Sequence, residues 1–98
     1  MNEYRLAPQA YADFDAIAAY IFEDNPQRSV TFIDELTTRF GTIAERPLSF
    51  PASDDLPLGI RSALHGRYRI LFEVVGGIPH ILRVLHGARD IANILRDG

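Results

Sequence analysis

Two apolar runs separated by a pair of glycines set the tightest limit on what this chain can form. YRILFEVV (68–75) and IPHILRVL (78–85) are rich in aromatic and β-branched residues, and Gly76-Gly77 stands between them. A two-residue glycine loop joins antiparallel strands, because the favoured hairpin turn needs φ above zero at its centre. The pattern predicts a β-hairpin in which Val75 opposes Ile78. Directly opposed residues share a face. Counting back, Phe72 faces Ile81, Ile70 faces Arg83, Arg69 faces Val84 and Arg67 faces His86. One face then carries Tyr68, Ile70, Phe72, Val74, Ile81 and Leu85. The other carries Arg67, Arg69, Leu71, Glu73, His80, Leu82, Val84 and His86. A slip of one residue would scramble both sets.

The chain before this hairpin has a different period. EYRLA (3–7) alternates and reads as a short strand. Pro8 suits a first helical position, where its missing N–H costs nothing. Tyr11, Phe14, Ile17, Ala18 and Ile21 then recur at helical spacing. Asn25-Pro26 ends that helix and starts another, since Asn is a good N-cap and Pro a good first residue. Val30, Ile33, Leu36, Phe40, Ile43 and Ala44 give the second helix an apolar stripe, which ends before Pro47. Two long amphipathic helices with almost no linker make an antiparallel helical hairpin. PLSFPASDDLPLG (47–59) reads as a loop, the longest irregular segment and therefore a place for function. IRSAL (60–64) alternates as a further strand, and ARDIANILRDG (88–98) reads as a short terminal helix or tail. The order β-α-α-β-β-β predicts an α+β domain of two layers, the helical hairpin on one face of an antiparallel sheet.

Length and charge narrow the class. The chain has 98 residues, enough for one domain over 1–98 with a single modest core. No apolar run approaches the roughly 20 residues of a membrane helix, and MNEYRLAPQAY has no apolar signal region, so a cytoplasmic protein is expected. Cysteine is absent, which removes disulfides and thiolate metal sites. Three scattered histidines have no ligand spacing, so no metal or organic cofactor is expected. All ten basic residues are Arg, which genomic base composition explains most simply. The net charge of −3 argues against a free-standing nucleic-acid binder, whose domains are usually strongly basic.

The helices can cover only one face of the sheet. The reverse face mixes Leu71, Leu82 and Val84 with charges, a composition that often marks a partner site. Arg67, Arg69 and His86 should cluster at one end of it. Arg83 falls on the apolar face and should reach an acid at the helix edge, Asp13 or Asp15. His65 and His80 read as surface or strand residues.

At these residues the chain resembles the RelE/ParE superfamily of type II toxins from bacterial toxin–antitoxin pairs. The likeness runs from YRLAPQAYADFDAIAAY through the helix ending at AERP, Arg61 at the opening of the sheet and YRILFEVV to the closing RVLHGARD (83–90). It implies the two-layer RelE/ParE-like fold and a toxin neutralised by a cognate antitoxin, ParD-like or similar, in a hetero-oligomer. An apolar face studded with Arg suits such a partner.

Within the superfamily the resemblance implies one of two activities. ParE-like members poison DNA gyrase without a reaction of their own. RelE-like members are ribosome-dependent endoribonucleases, and the matching residues would be Arg69 and Arg67 on phosphate with His86 moving a proton. Asp54 and Asp55 are candidates for the acid that some nucleolytic members pair with such a His. Against that activity, Ala88 stands where a base is common, and no Tyr follows Tyr68. RVLHGARD looks more like the ParE branch, so a gyrase inhibitor is expected and no catalytic residue is assigned with it. Contact residues for target or antitoxin are expected among Arg61, Arg67, Arg69, Leu71, Leu82, Val84, His86 and Arg89.

Overall fold

The computed structural model describes residues 3–52 and 55–87. The expected terminal helix or tail at 88–98, with Arg89, lies outside the described residues, as does Asp54. The elements follow in the order β1 (Arg5–Leu6), α1 (Pro8–Asp24), α2 (Pro26–Glu45), a 3₁₀ turn (Pro47–Ser49), β2 (Arg61–His65), β3 (Tyr68–Val75) and β4 (Ile78–His86).

Asn25 makes the helical hairpin sharp. Its backbone N–H donates to the Ile21 carbonyl and closes α1. Its side-chain oxygen accepts from the Arg28 N–H at 3.1 Å and opens α2. One residue therefore serves both helix ends. Ser29 fastens the pair, donating from its buried hydroxyl to the Ala18 carbonyl at 2.7 Å. In α2 the buried positions are Ser29, Phe32, Leu36, Phe40 and Ile43, a run at spacings of three and four. Phe32 thus enters the core in place of Val30, which is more than half exposed. Tyr11 of α1 is likewise more than half exposed, and Ala10 is buried beside Phe14, Ile17 and Ile21.

The sheet has the order β1-β4-β3-β2. β2, β3 and β4 are antiparallel, and β1 adds a parallel edge to β4 through Arg5↔His80 and Leu6↔Ile81. The parallel edge makes the sheet a mixed one. Gly76 and Gly77 both have positive φ, as the expected hairpin turn requires.

The register holds from Val75↔Ile78 to Phe72↔Ile81 and then shifts. Leu71 pairs with Arg83, leaving Leu82 as an extra residue, and Ile70 then opposes Val84, Arg69 opposes Leu85 and Tyr68 opposes His86. An extra residue in one strand is a β-bulge, which bends the strand and re-aims side chains. The face assignment beyond Phe72 is therefore corrected. Val84, not Leu85, joins Ile70, Phe72 and Ile81 under the helices, in one core with Phe32, Leu36, Phe40 and Ile43. Leu85 joins Leu71 on the reverse side.

That reverse side is not bare. Leu56 and Ile60, from the segment between Phe50 and Ile60, pack on Leu71 and Leu85, with Leu82 beside them. This segment acts as a strap across the sheet. Leu71 and Leu85 are fully buried, so the expectation of an open apolar face at Leu71 is also corrected. Bare leucines would cost roughly 2 kcal/mol each in contact with water, and the strap removes that cost.

Candidate interaction site

The bulge explains the best-connected polar pair. Arg83 donates from Nε and Nη2 to the two Asp13 oxygens at 2.7 and 2.9 Å. The same carboxylate accepts from the Val84 N–H at 3.0 Å. β1 reaches no further than the Ala7 N–H, which donates to the Ile81 carbonyl. From there Asp13 of α1 takes over part of the β4 edge, so a side chain continues what a strand began. The hydrogen bonds to Asp13 raise the Arg83 pKa above its usual range; partial burial opposes this and the Asp13 charge adds to it. Arg83 is structural, as its sequence position suggested.

The strap is held by two other arginines. Arg61 donates from Nη1 to the Phe50 carbonyl at 2.6 Å. Arg69 donates to both Asp55 oxygens, at 2.7 Å from Nη1 and 3.5 Å from Nη2, and to the Ser62 hydroxyl at 3.1 Å. Arg39 of α2 closes the far wall. Its guanidinium lies 5.3 Å from the Phe50 ring centroid, and its Nε donates to the Leu64 carbonyl at 3.1 Å. These groups surround a groove of about 610 Å³ lined by Arg39, Asp55, Ser62, Leu64 and Arg69, with Phe50 and Pro51.

The other expected site residues lie elsewhere. Arg67 sits in the two-residue turn between β2 and β3, exposed, with its carbonyl accepting from the Gly87 N–H. It borders a second groove of about 330 Å³ with Arg28, Phe32, Glu35, His65 and Tyr68. The His86 ring meets Tyr68 edge to face at 5.7 Å, and Tyr68 meets Phe32 of α2 at 5.5 Å. Neighbouring strand residues point to opposite faces. His86 is thus on the helix side with Tyr68, and Arg69 is on the strap side. Arg67, Arg69 and His86 do not converge, and the expected cluster on one face is corrected: the bulge at Leu82 turns His86 to the helix side, and Arg67 lies in the turn rather than in β3. Leu82 is half-buried beside the strap core, and Val84 is buried under the helices.

Arg39, Asp55 and Ser62 are the site residues that pattern reading did not assign to a contact surface. Asp55 stood out only as a candidate acid to pair with His86, in a proline-rich loop. Arg39 lies off the apolar stripe of its helix, where most residues are simply solvated. Only the fold brings α2, the strap and β2 together. Among the described residues no cluster of His, Asp and Glu could hold a metal, and no helix is long and apolar enough to cross a membrane.

A family model for the ParE toxin of the type II toxin–antitoxin system parDE matches residues 4–91, nearly the whole chain. The chain belongs to the ParE toxin family. It is also similar to a solved structure titled as the chromosomal ParDE TA system from P. aeruginosa, with a TM-score of 0.76 and 18% identity. That likeness covers 88% of this chain and 96% of the other and is one of fold. A search of curated proteins gave no match. The ParE-like fold therefore accommodates both the strap and the Asp13–Arg83 edge described above.

Proposed function

We propose that this member of the ParE toxin family acts in the cytoplasm on DNA gyrase and is neutralised by a cognate antitoxin in a hetero-oligomer. The family match over residues 4–91 carries the reading. The geometry supports a binding rather than a catalytic role. Cleavage of RNA through its 2′-OH needs cations and a proton carrier converging on one phosphate within hydrogen-bond reach. Arg69 and His86 lie on opposite faces of the sheet, and Arg69 is already engaged by Asp55 and Ser62. The contact surface we propose wraps the β2 edge and the β2–β3 end of the sheet, with Arg69 and Leu82 on the strap side, Arg61 at the β2 edge, Arg67 in the turn and His86 on the helix side. Leu71 and Val84 support it from beneath, and Arg89 follows in sequence.

Two assays run together test this. Purified toxin should block gyrase supercoiling or trap cleaved DNA, while transcripts in a translating extract stay intact. Normal supercoiling at toxin concentrations that arrest growth would remove the gyrase reading. Transcript cleavage abolished by Arg69→Ala or His86→Ala would replace it with a ribonuclease. A small acidic antitoxin bound to the toxin should relieve growth arrest.

A further inference from the structure

We infer that the groove between Arg39 and Arg69 is a seat for a carboxylate on an acidic, apolar-flanked peptide segment of a partner protein, and that Asp55 occupies the seat in the partner's absence. The two halves of the Arg69–Asp55 pair differ in how firmly the fold holds them. The Arg69 side chain is 16% exposed, whereas that of Asp55 is 56% exposed. The cation belongs to a strand paired on both sides, through Leu64 and Leu85, and the anion belongs to the strap. A largely buried guanidinium needs an acceptor, and removing its partner outright is costly. Exchanging one carboxylate for another is not, because the planar fork of Arg matches any carboxylate in the same geometry. Ser62 Oγ adds a third contact to Arg69 at 3.1 Å and would remain in place during the exchange.

Arg39 gives the seat a second cation. Its Nε is committed to the Leu64 carbonyl, and its Nη atoms have no hydrogen bond to the described residues. Its guanidinium already lies over the Phe50 ring with Nε bonded to the Leu64 carbonyl, so less freedom is lost when it binds an anion. With Arg39 and Arg69 against Asp55, the groove is net positive in a chain of net charge −3. Leu64, exposed on the rim, and Phe50, Pro51 and Ala63 supply apolar wall for a side chain next to the incoming carboxylate. A nucleic-acid backbone suits the groove less well. It would bring many charges to an acidic protein for the sake of one local cation pair.

The identity of the protein that brings the segment rests on the proposed toxin–antitoxin reading; the seat itself does not. Its test is therefore a defined probe, the acetylated, amidated tetrapeptide Leu-Asp-Leu-Asp, titrated into the full chain by calorimetry and by amide chemical shifts. Asp55→Asn removes the internal competitor and should tighten binding about tenfold, the effect of one charged hydrogen bond. Arg69→Gln should abolish binding in either background, and Arg39→Gln should weaken it. The Leu-Asn-Leu-Asn peptide should not bind. Equal affinities for wild type and Asp55→Asn, or binding that survives Arg69→Gln, would overturn the inference. Arg69-dependent binding of a short single-stranded oligonucleotide in preference to the peptide would overturn it too. Should Arg69→Gln unfold, the amides of Ser62 and Leu64 in Asp55→Asn report directly. Shifts at both on adding peptide support the seat, and their absence refutes it. The supercoiling assay is independent, so failure of one reading leaves the other standing.

Discussion

The two faces of this sheet are buried by different means. On one, two long helices lay a regular stripe of large side chains on Ala63, Ile70, Phe72, Ile81 and Val84. On the other, an irregular strap with two buried anchors, Leu56 and Ile60, shields Leu71 and Leu85. The polar fastenings differ in the same way. Asp13–Arg83 is enclosed on both sides, with side chains 13% and 16% exposed, and satisfies a backbone N–H as well. Asp55–Arg69 is enclosed on one side only. The helix side therefore carries the stability of the domain, and the strap side can rearrange without unfolding it. Function that requires a partner to displace something belongs on the weaker side.

This contrast makes a ranked set of predictions, each read as a shift in the urea unfolding midpoint. Phe72→Ala opens a cavity in the centre of the helix-side core and should cost about 4 kcal/mol. Asp13→Ala leaves Arg83 and the Val84 N–H without their acceptor and should cost about 3 kcal/mol. A double-mutant cycle with Arg83→Gln should return a coupling of more than about 1 kcal/mol. Leu56→Ala removes one anchor of the strap and should cost about 2 kcal/mol, while protease cutting between Phe50 and Ile60 speeds up. A larger loss from Leu56→Ala than from Phe72→Ala would reverse the comparison. Asp55→Asn breaks a half-exposed pair and should move stability by only about 0.5 kcal/mol, leaving its main effect on binding.

The Asp13–Arg83 edge also makes a prediction about pH. Arg83 has its pKa raised in the folded state. A cation with a raised pKa contributes its full stability below its unfolded value and loses it only as pH rises through the folded value. Both values lie far above neutral pH, since an Arg guanidinium stays protonated throughout the ordinary pH range. Between about pH 7 and 10, Arg83 should add no slope to stability, and unfolding curves of wild type and Arg83→Gln should stay a constant distance apart. A gap that narrows on that interval would mean the pair is not what holds the edge.

Much of the fold was legible because its signals are local. Asn25-Pro26 stops one helix and starts the next within a single residue. Gly76-Gly77 fixes the turn, and alternation fixes the register as far as Phe72↔Ile81. Family resemblance and family match agree on the ParE toxin. The site was less legible. Arg69 and Arg61 were visible as strand arginines, but their partners Asp55 and the Phe50 carbonyl come from a loop without periodicity. His86 was placed beside Arg69 by counting, and counting fails at a bulge.

The order of elements, the helical hairpin and the central β-turn all follow from spacing along the chain, because helix, turn and strand preferences act over a few residues. The bulge at Leu82, the sides taken by Val84, Leu85 and His86, and the groove between Arg39 and Arg69 do not. Asp13 and Arg83 are 70 residues apart, and Arg39 and Leu64 are 25 apart. Such pairings form only when the whole chain is compact, since a carboxylate can select a strand irregularity only after folding has brought it there.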